Sequence, residues 1–131
     1  MAEDVLDRLK NPLKEPSIFL HSVEFVKVVL NTSRRLPKPT RYVLGRMLDE
    51  KSFELLLGLN RIVGPSGVRS TERAKRLPLL MDLSRCLDEI RVLFRIAREA
   101  GLVSAGEMEE LAMRMREIGR QLGGLIRSAS G

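Results

Sequence analysis

The sequence predicts an all-α protein, an up-down-up-down antiparallel bundle of four helices. Three observations carry this. Apolar residues recur at spacings of three and four through four long segments. No segment alternates apolar with polar residues as a half-buried strand would. Proline and glycine punctuate the chain at "LPKPT" (36–40), "GPSG" (64–67) and "AGLVSAG" (100–106), so the joints are short and successive helices should be antiparallel neighbours.

The first segment runs from about Ser17 to Arg35, with Phe25, Val26, Val29 and Leu36 at helical spacing. In the second, about Arg41 to Val63, the stripe is Leu44, Leu48, Leu55, Leu59 and Ile62. The third, about Thr71 to Ala100, carries Leu80, Leu83, Leu87, Ile90, Phe94 and Ala97. Pro78 weakens its first turns, because proline kinks a helix interior. The fourth opens at "SAGE", where Ser104 and Glu107 have capping-box spacing, and continues through Met108, Leu111, Met115, Ile118, Leu122 and Leu125. Residues 1–16, with Pro12 and Pro16, read as an N-terminal extension to a bundle of residues 17–131.

Composition narrows the class. At 131 residues, 44% hydrophobic and 31% charged, the chain has the size and balance of one globular domain. One cysteine, Cys86, makes no intramolecular disulfide and falls on an apolar stripe, where a buried thiol is inert. No apolar run approaches the roughly 20 residues of a membrane span, and "MAEDVLDRLK" is too charged for a signal peptide. A soluble cytoplasmic protein is expected. The net charge of +6 points to an acidic partner, nucleic acid first, although solubility alone is the plainer account. Seventeen of the 23 cations are arginine, the residue that grips phosphate bidentately; a GC-rich genome gives the same bias.

The helix faces carry the functional signal. On the fourth helix, Ala112, Gly119 and Gly123 form a flank of small residues beside the core arc. Glycine inside a helix costs roughly 1 kcal/mol against alanine. Gly119 and Gly123 are therefore read as sites of close helix packing or ligand approach, with fraying near the C-terminus as the alternative. Beyond that flank stand Arg116, Arg120 and Arg127, with Glu110 and Glu117 on the far side. Arg91, Arg95 and Arg98 form a second row on the third helix, tempered by Asp88 and Glu99. These six, with Arg41 and Arg46 on the second helix, are the candidate phosphate contacts. A solvated face, or arginines paired with Asp88 or capping carbonyls, is the competing account. Tyr42, Phe53 and Leu57 on the second helix, and Met81, Val92 and Ile96 on the third, make apolar stripes opposite the core stripes. A bundle helix needs one apolar face, so a second marks an oligomer interface or an unusually thick core.

Catalytic constellations are missing. His21 is the only histidine and has no cysteine nearby, there is no glycine-rich phosphate loop, and no zinc-ligand spacing occurs. A four-helix ribonuclease of the HEPN class would need an arginine–histidine motif that this chain lacks. No cofactor and no enzymatic activity are expected. Aromatics at 4%, with no tryptophan and mostly on apolar stripes, argue against base-stacking readout of single strands and leave phosphate or shape recognition.

Three blocks, "LPKPTRYVLGRMLDE" (36–50), "LDEIRVLFRIAREAGLVS" (87–104) and "EIGRQLGGLIRS" (117–128), in this order and spacing, resemble the Avd accessory proteins of diversity-generating retroelements. These group with four-helix-bundle proteins that include the rRNA intervening-sequence proteins. The resemblance spans about Val23 to Ser128. A proline-basic turn matches Leu36, Pro37 and Lys38; a leucine-arginine repeat matches Ile90, Arg91, Phe94 (or Leu93) and Arg95; the "IGR-x-LGG" ending matches Ile118, Gly119, Arg120, Leu122, Gly123 and Gly124. Leu125 departs from the aromatic that usually follows the double glycine. The resemblance implies a homopentameric barrel of basic four-helix protomers that binds the retroelement's reverse transcriptase and nucleic acid. Such proteins support mutagenic reverse transcription of a template RNA without catalysing it. The alternative from the residues alone is a stand-alone bundle that binds an acidic protein or structured RNA.

Overall fold

The computed structural model describes residues 15–63 and 73–130. Four long helices account for most of them: α1 (Ser17–Arg34), α2 (Arg46–Val63), α3 (Arg73–Glu99) and α4 (Ala105–Ser130). No strand occurs among the described residues. Residues 1–14 of the extension and the "GPSG" joint lie outside the described residues.

Each helix begins and ends where its local chemistry dictates. α1 starts after Pro16, whose extended backbone offers its carbonyl to Phe19 and Leu20 at 3.0 and 3.2 Å. It buries Ile18, Ser22, Phe25, Val26, Val29, Thr32 and Ser33. The hydroxyls survive burial because each donates to a nearby carbonyl: Ser22 to Ile18 at 2.8 Å, Thr32 to Val28 at 2.9 Å. The Ser33 hydroxyl has the Leu30 carbonyl at 3.2 Å and, closer, the Asp49 carboxylate at 2.7 Å, which ties the end of α1 to the start of α2.

The joint between them departs from expectation. Leu36, assigned to the stripe of the first helix, lies past its end yet is buried in the turn. A three-residue helical turn (Lys38–Thr40) then leads into a π-helical turn, Arg41–Gly45, before α2 proper. A π turn holds extra backbone per revolution, so residues before and after it lose a common helical phase. Tyr42 and Val43 face solvent at 65% and 66% exposure, and Leu44 is only half-buried. Gly45 is buried against Arg41 Cγ, Leu36 Cδ1 and Ser33 Cβ, where an added Cβ would meet them at an ordinary 3.4–3.5 Å.

α3 runs through Pro78 without a break. The ring lies in its early turns and faces solvent, where the lost N–H bond costs least. The helix stops at Gly101, whose φ of 74° only glycine adopts freely. Leu102 N–H donates to the Ala97 carbonyl at 2.9 Å and Gly101 N–H to Arg98 at 3.1 Å, the two bonds of a Schellman ending. Three residues later the expected capping box is present: Glu107 N–H donates to Ser104 Oγ at 3.1 Å, and Ser104 N–H to Glu107 Oε1 at 3.2 Å.

Packing closes a ring, with α1 against α2 and α4, α2 against α3, and α3 against α4. The four stripes meet inside it, where Phe25, Leu48, Leu55, Phe94, Met115 and Leu122 are among the fully buried side chains. Met108 and Leu125, expected in the core arc of α4, pack at its edge and stay partly exposed. Where α2 crosses α3, Leu83 occupies the space a Cβ on Gly58 would need.

The backbone amide of Ser104, and to a smaller degree its hydroxyl, hold the Glu107 carboxyl below the ordinary carboxylate range. Its folded pKa is depressed, so its contribution is complete above the ordinary value of 4.5 and fades as pH falls below it. Ser104→Ala should cost about 1 kcal/mol at neutral pH. Because the backbone amide that chiefly lowers the Glu107 carboxyl survives this substitution, most of the deficit should persist as the pH of chemical-denaturation curves is lowered through the acid range.

Candidate nucleic-acid interface and exposed apolar faces

Arg91 explains the glycine at 119. Its guanidinium crosses from α3 to α4, donating to Asp88 Oδ1 at 2.6 Å and to the Met115 carbonyl at 3.4 Å. A Cβ on Gly119 would stand 2.7 Å from Arg91 Nη2 and 3.5 Å from Leu87 Cδ2. Met115 is four residues before Gly119, so its carbonyl already accepts the helical bond. Only without a side chain at 119 does that carbonyl stay open to a second donor.

Gly123 is different. The atom nearest its missing Cβ is Arg127 Nη1 of the same helix, 3.5 Å away, and no other helix approaches within 4 Å among the described residues. Gly124 also faces Arg127, at 3.8 Å. The close crossing of another helix pair is at Gly58, which the sequence reading passed over; its only signal was a glycine inside an otherwise apolar helix.

The remaining arginines divide by partner. Arg95 pairs with Glu99 at 3.3 Å on the surface. Arg98 reaches the Val103 carbonyl at 3.4 Å across the α3–α4 turn. Arg120 grips Glu117 with Nε at 3.0 Å and Nη2 at 2.6 Å. Helped by Gln121, it lowers the Glu117 carboxyl to about 2. The side of α4 expected to be free of acids is therefore neutralised at Arg120. Arg116 and Arg127 are exposed and have no carboxylate partner among the described residues. With Arg91, Arg116 borders a groove between α3 and α4 whose floor is Met108, Ala112 and Met115. Arg41 and Arg46 stand apart from these rows, at the α1–α2 joint. Arg41 donates to the Arg34 carbonyl at 3.3 Å, and Arg46 pairs with Glu50 at 3.0 Å.

That joint holds cations the sequence reading missed: Arg34, Arg35 and Lys38. Their signal was available, since the chain carries six cations and no acid between Glu24 and Asp49.

Tyr42, Phe53, Leu57, Met81, Val92 and Ile96 are all exposed on this single chain, Leu57 at 57% and Val92 at 56%. They do not thicken its core. Val43, Met47 and Met113 join them and were not singled out from sequence. The Lys51–Glu89 ion pair at 2.5 Å links α2 to α3. Met47 lies one turn from Lys51 on one helix, as Val92 does from Glu89 on the other.

Reactive groups are few. Cys86 is buried, its thiol pushed up to about 11 chiefly by loss of solvent, and it donates to the Lys51 carbonyl at 3.4 Å. His21 is exposed. Among the described residues no three His, Cys, Asp or Glu side chains are grouped to hold a metal ion, and no helix is long and apolar enough to cross a membrane. Fold and surface together describe a four-helix protein with an arginine-bordered groove on α3–α4 and exposed apolar residues on α2 and α3. No family model, curated protein or solved structure matches the chain.

If Gly119 serves Arg91, alanine there should act differently in two backgrounds. In the native chain the gain in helix propensity is offset by displacing the guanidinium, and stability should change by less than about 0.5 kcal/mol. With Arg91→Ala already made, Gly119→Ala should stabilise by about 1 kcal/mol. Additive thermal-unfolding results would break the link.

Proposed function

We propose that this chain is a non-catalytic accessory protein of a diversity-generating retroelement, acting in the cytoplasm. It binds the reverse transcriptase and nucleic acid, template RNA or its cDNA, and supports mutagenic reverse transcription. The observation that carries the reading joins two of the resembling blocks. Arg91, from "LDEIRVLFRIAREAGLVS", lies over Gly119, from "EIGRQLGGLIRS". Residues far apart in sequence, matched separately, thus act as one structural unit. Arg116 and Arg127 supply uncompensated positive charge on the same helix as that glycine.

The reading includes up-down-up-down topology and assembly into a homopentamer, the number five coming from the resemblance. Arg35 after α1 meets Glu107 at the start of α4 at 2.6 Å, and Ser17 at the start of α1 meets Gln121 late in α4 at 3.1 Å. Those contacts support antiparallel neighbours. Exposed Phe53, Leu57, Met81, Val92 and Ile96 support assembly, since large apolar side chains left in water gain by burial against a partner. A ring repeats every cation, so modest phosphate contacts add through multivalency.

Two measurements test this. Light scattering at micromolar concentration should give an oligomer, and Leu57→Glu with Val92→Glu should give helical monomers; a native chain that stays monomeric ends the assembly reading. RNA affinity should fall steeply with salt. Arg116→Glu with Arg127→Glu should weaken it about tenfold and flatten the salt slope by roughly 0.7 per lost single-strand phosphate contact. Affinity for an acidic protein but not for RNA, with no co-purification of a reverse transcriptase, would instead favour the stand-alone interaction module.

A further inference from the structure

We propose that the corner joining α1 to α2 is a seat for single-stranded nucleic acid, where Arg34, Lys38 and Arg41 hold phosphates and Tyr42 stacks on a base. The proposal rests on the nucleic-acid reading above, but it places the strand at a different surface from the α3–α4 groove.

Charge comes first. Of the carboxylates that reach this corner, Glu107 pairs with Arg35 and Glu50 with Arg46, while Asp49 accepts the Ser33 hydroxyl. Arg34, Lys38 and Arg41 have no carboxylate partner among the described residues. Arg34 is held by the Leu30 carbonyl and Asn31 Oδ1, both at 3.3 Å, and Arg41 by the Arg34 carbonyl. A guanidinium carries five donors, so these anchors fix its place and leave N–H groups for a phosphate. Pro37 and Pro39 stiffen the backbone that carries Lys38.

Shape comes second. Tyr42 stands in the π turn with 65% of its surface exposed, and Arg41 Cζ sits over its ring, 5.8 Å from the centroid. A ring with a cation on one face offers the other to a nucleobase, whose stacking is tolerant of sequence. Burying the ring between copies of the chain would take the neighbouring unpaired cations out of water without a counter-charge, which is unfavourable. This assigns Tyr42 to nucleic acid rather than to the oligomer interface expected from its apolar character, and it reverses the expectation that stacking plays no part.

Tyr42 is the chain's one tyrosine, and there is no tryptophan, so intrinsic emission reports on this residue alone. The experiment titrates a short oligouridylate into the full chain, following tyrosine emission beside the anisotropy of labelled oligonucleotide. Quenching should share the binding midpoint. Tyr42→Leu should weaken binding by about 5- to 10-fold while Tyr42→Phe stays within about twofold, since phenylalanine keeps the ring. Lys38→Glu, which breaks no contact in the fold, should weaken binding and flatten the salt slope. Circular dichroism and light scattering accompany each variant. Binding without quenching, and with Tyr42→Leu and Lys38→Glu both at native affinity, overturns this seat and leaves the reading on Arg116 and Arg127. Tyr42→Leu that dissociates the oligomer at unchanged affinity overturns it too. No binding by the native chain defeats both.

Discussion

Four apolar stripes can leave water only against one another, and this constraint fixes what every other surface is able to do. With Leu48, Leu55, Phe94 and Leu122 committed to the interior, only partnered hydroxyls such as those of Ser22 and Thr32 share it; charged groups are forced outward, and any further apolar residue must go outward with them. Burial of each such side chain contributes about 1.5–3 kcal/mol. No arrangement that turned Phe53 or Val92 inward could repay the loss of the core residues displaced. The exposed apolar residues are thus a consequence of a full core, which is why they point to a partner.

Where two helices press closest, glycine sets the terms, in two distinct ways. At Gly58 the missing side chain admits Leu83, and the gain is apolar contact. At Gly119 it uncovers a helix carbonyl to an arginine, and the gain is a polar tie between α3 and α4. The same residue type, with the same helix penalty, serves packing in one place and charge placement in the other. Gly123 does neither across helices, and its neighbour Arg127 keeps an uncommitted charge.

What the sequence made legible follows from what is local or periodic. The stripes depend on a period of 3.6, and the capping box on a spacing of three; both are written in consecutive residues. So is the stop at Gly101. The π turn is not, because nothing in the spacing of Arg41–Gly45 departs from an ordinary helical template. Leu36 misled for the same reason: it keeps helical spacing after the helix has ended. The candidate site was legible in residue type but not in partnership. Arginine rows are visible on a wheel, but whether Arg120 faces water or Glu117 is a matter of rotamers.

Partnership grades the arginines by what a phosphate must displace. Arg116 and Arg127 need give up only water. Arg95 would leave Glu99, and exposed pairs contribute about 0–1 kcal/mol, so that exchange is cheap. Arg120 is held by two bonds to a carboxylate that Arg120 itself keeps ionised to a pH near 2, and at neutral pH a phosphate must compete with it directly. Arg91 would have to abandon Asp88, a backbone carbonyl and the hollow over Gly119 together. The residue that most resembles a binding arginine by motif is therefore the one most bound into the fold. What Arg91 offers at the surface is part of the wall of the α3–α4 groove, which it lines with Arg116 and Met115.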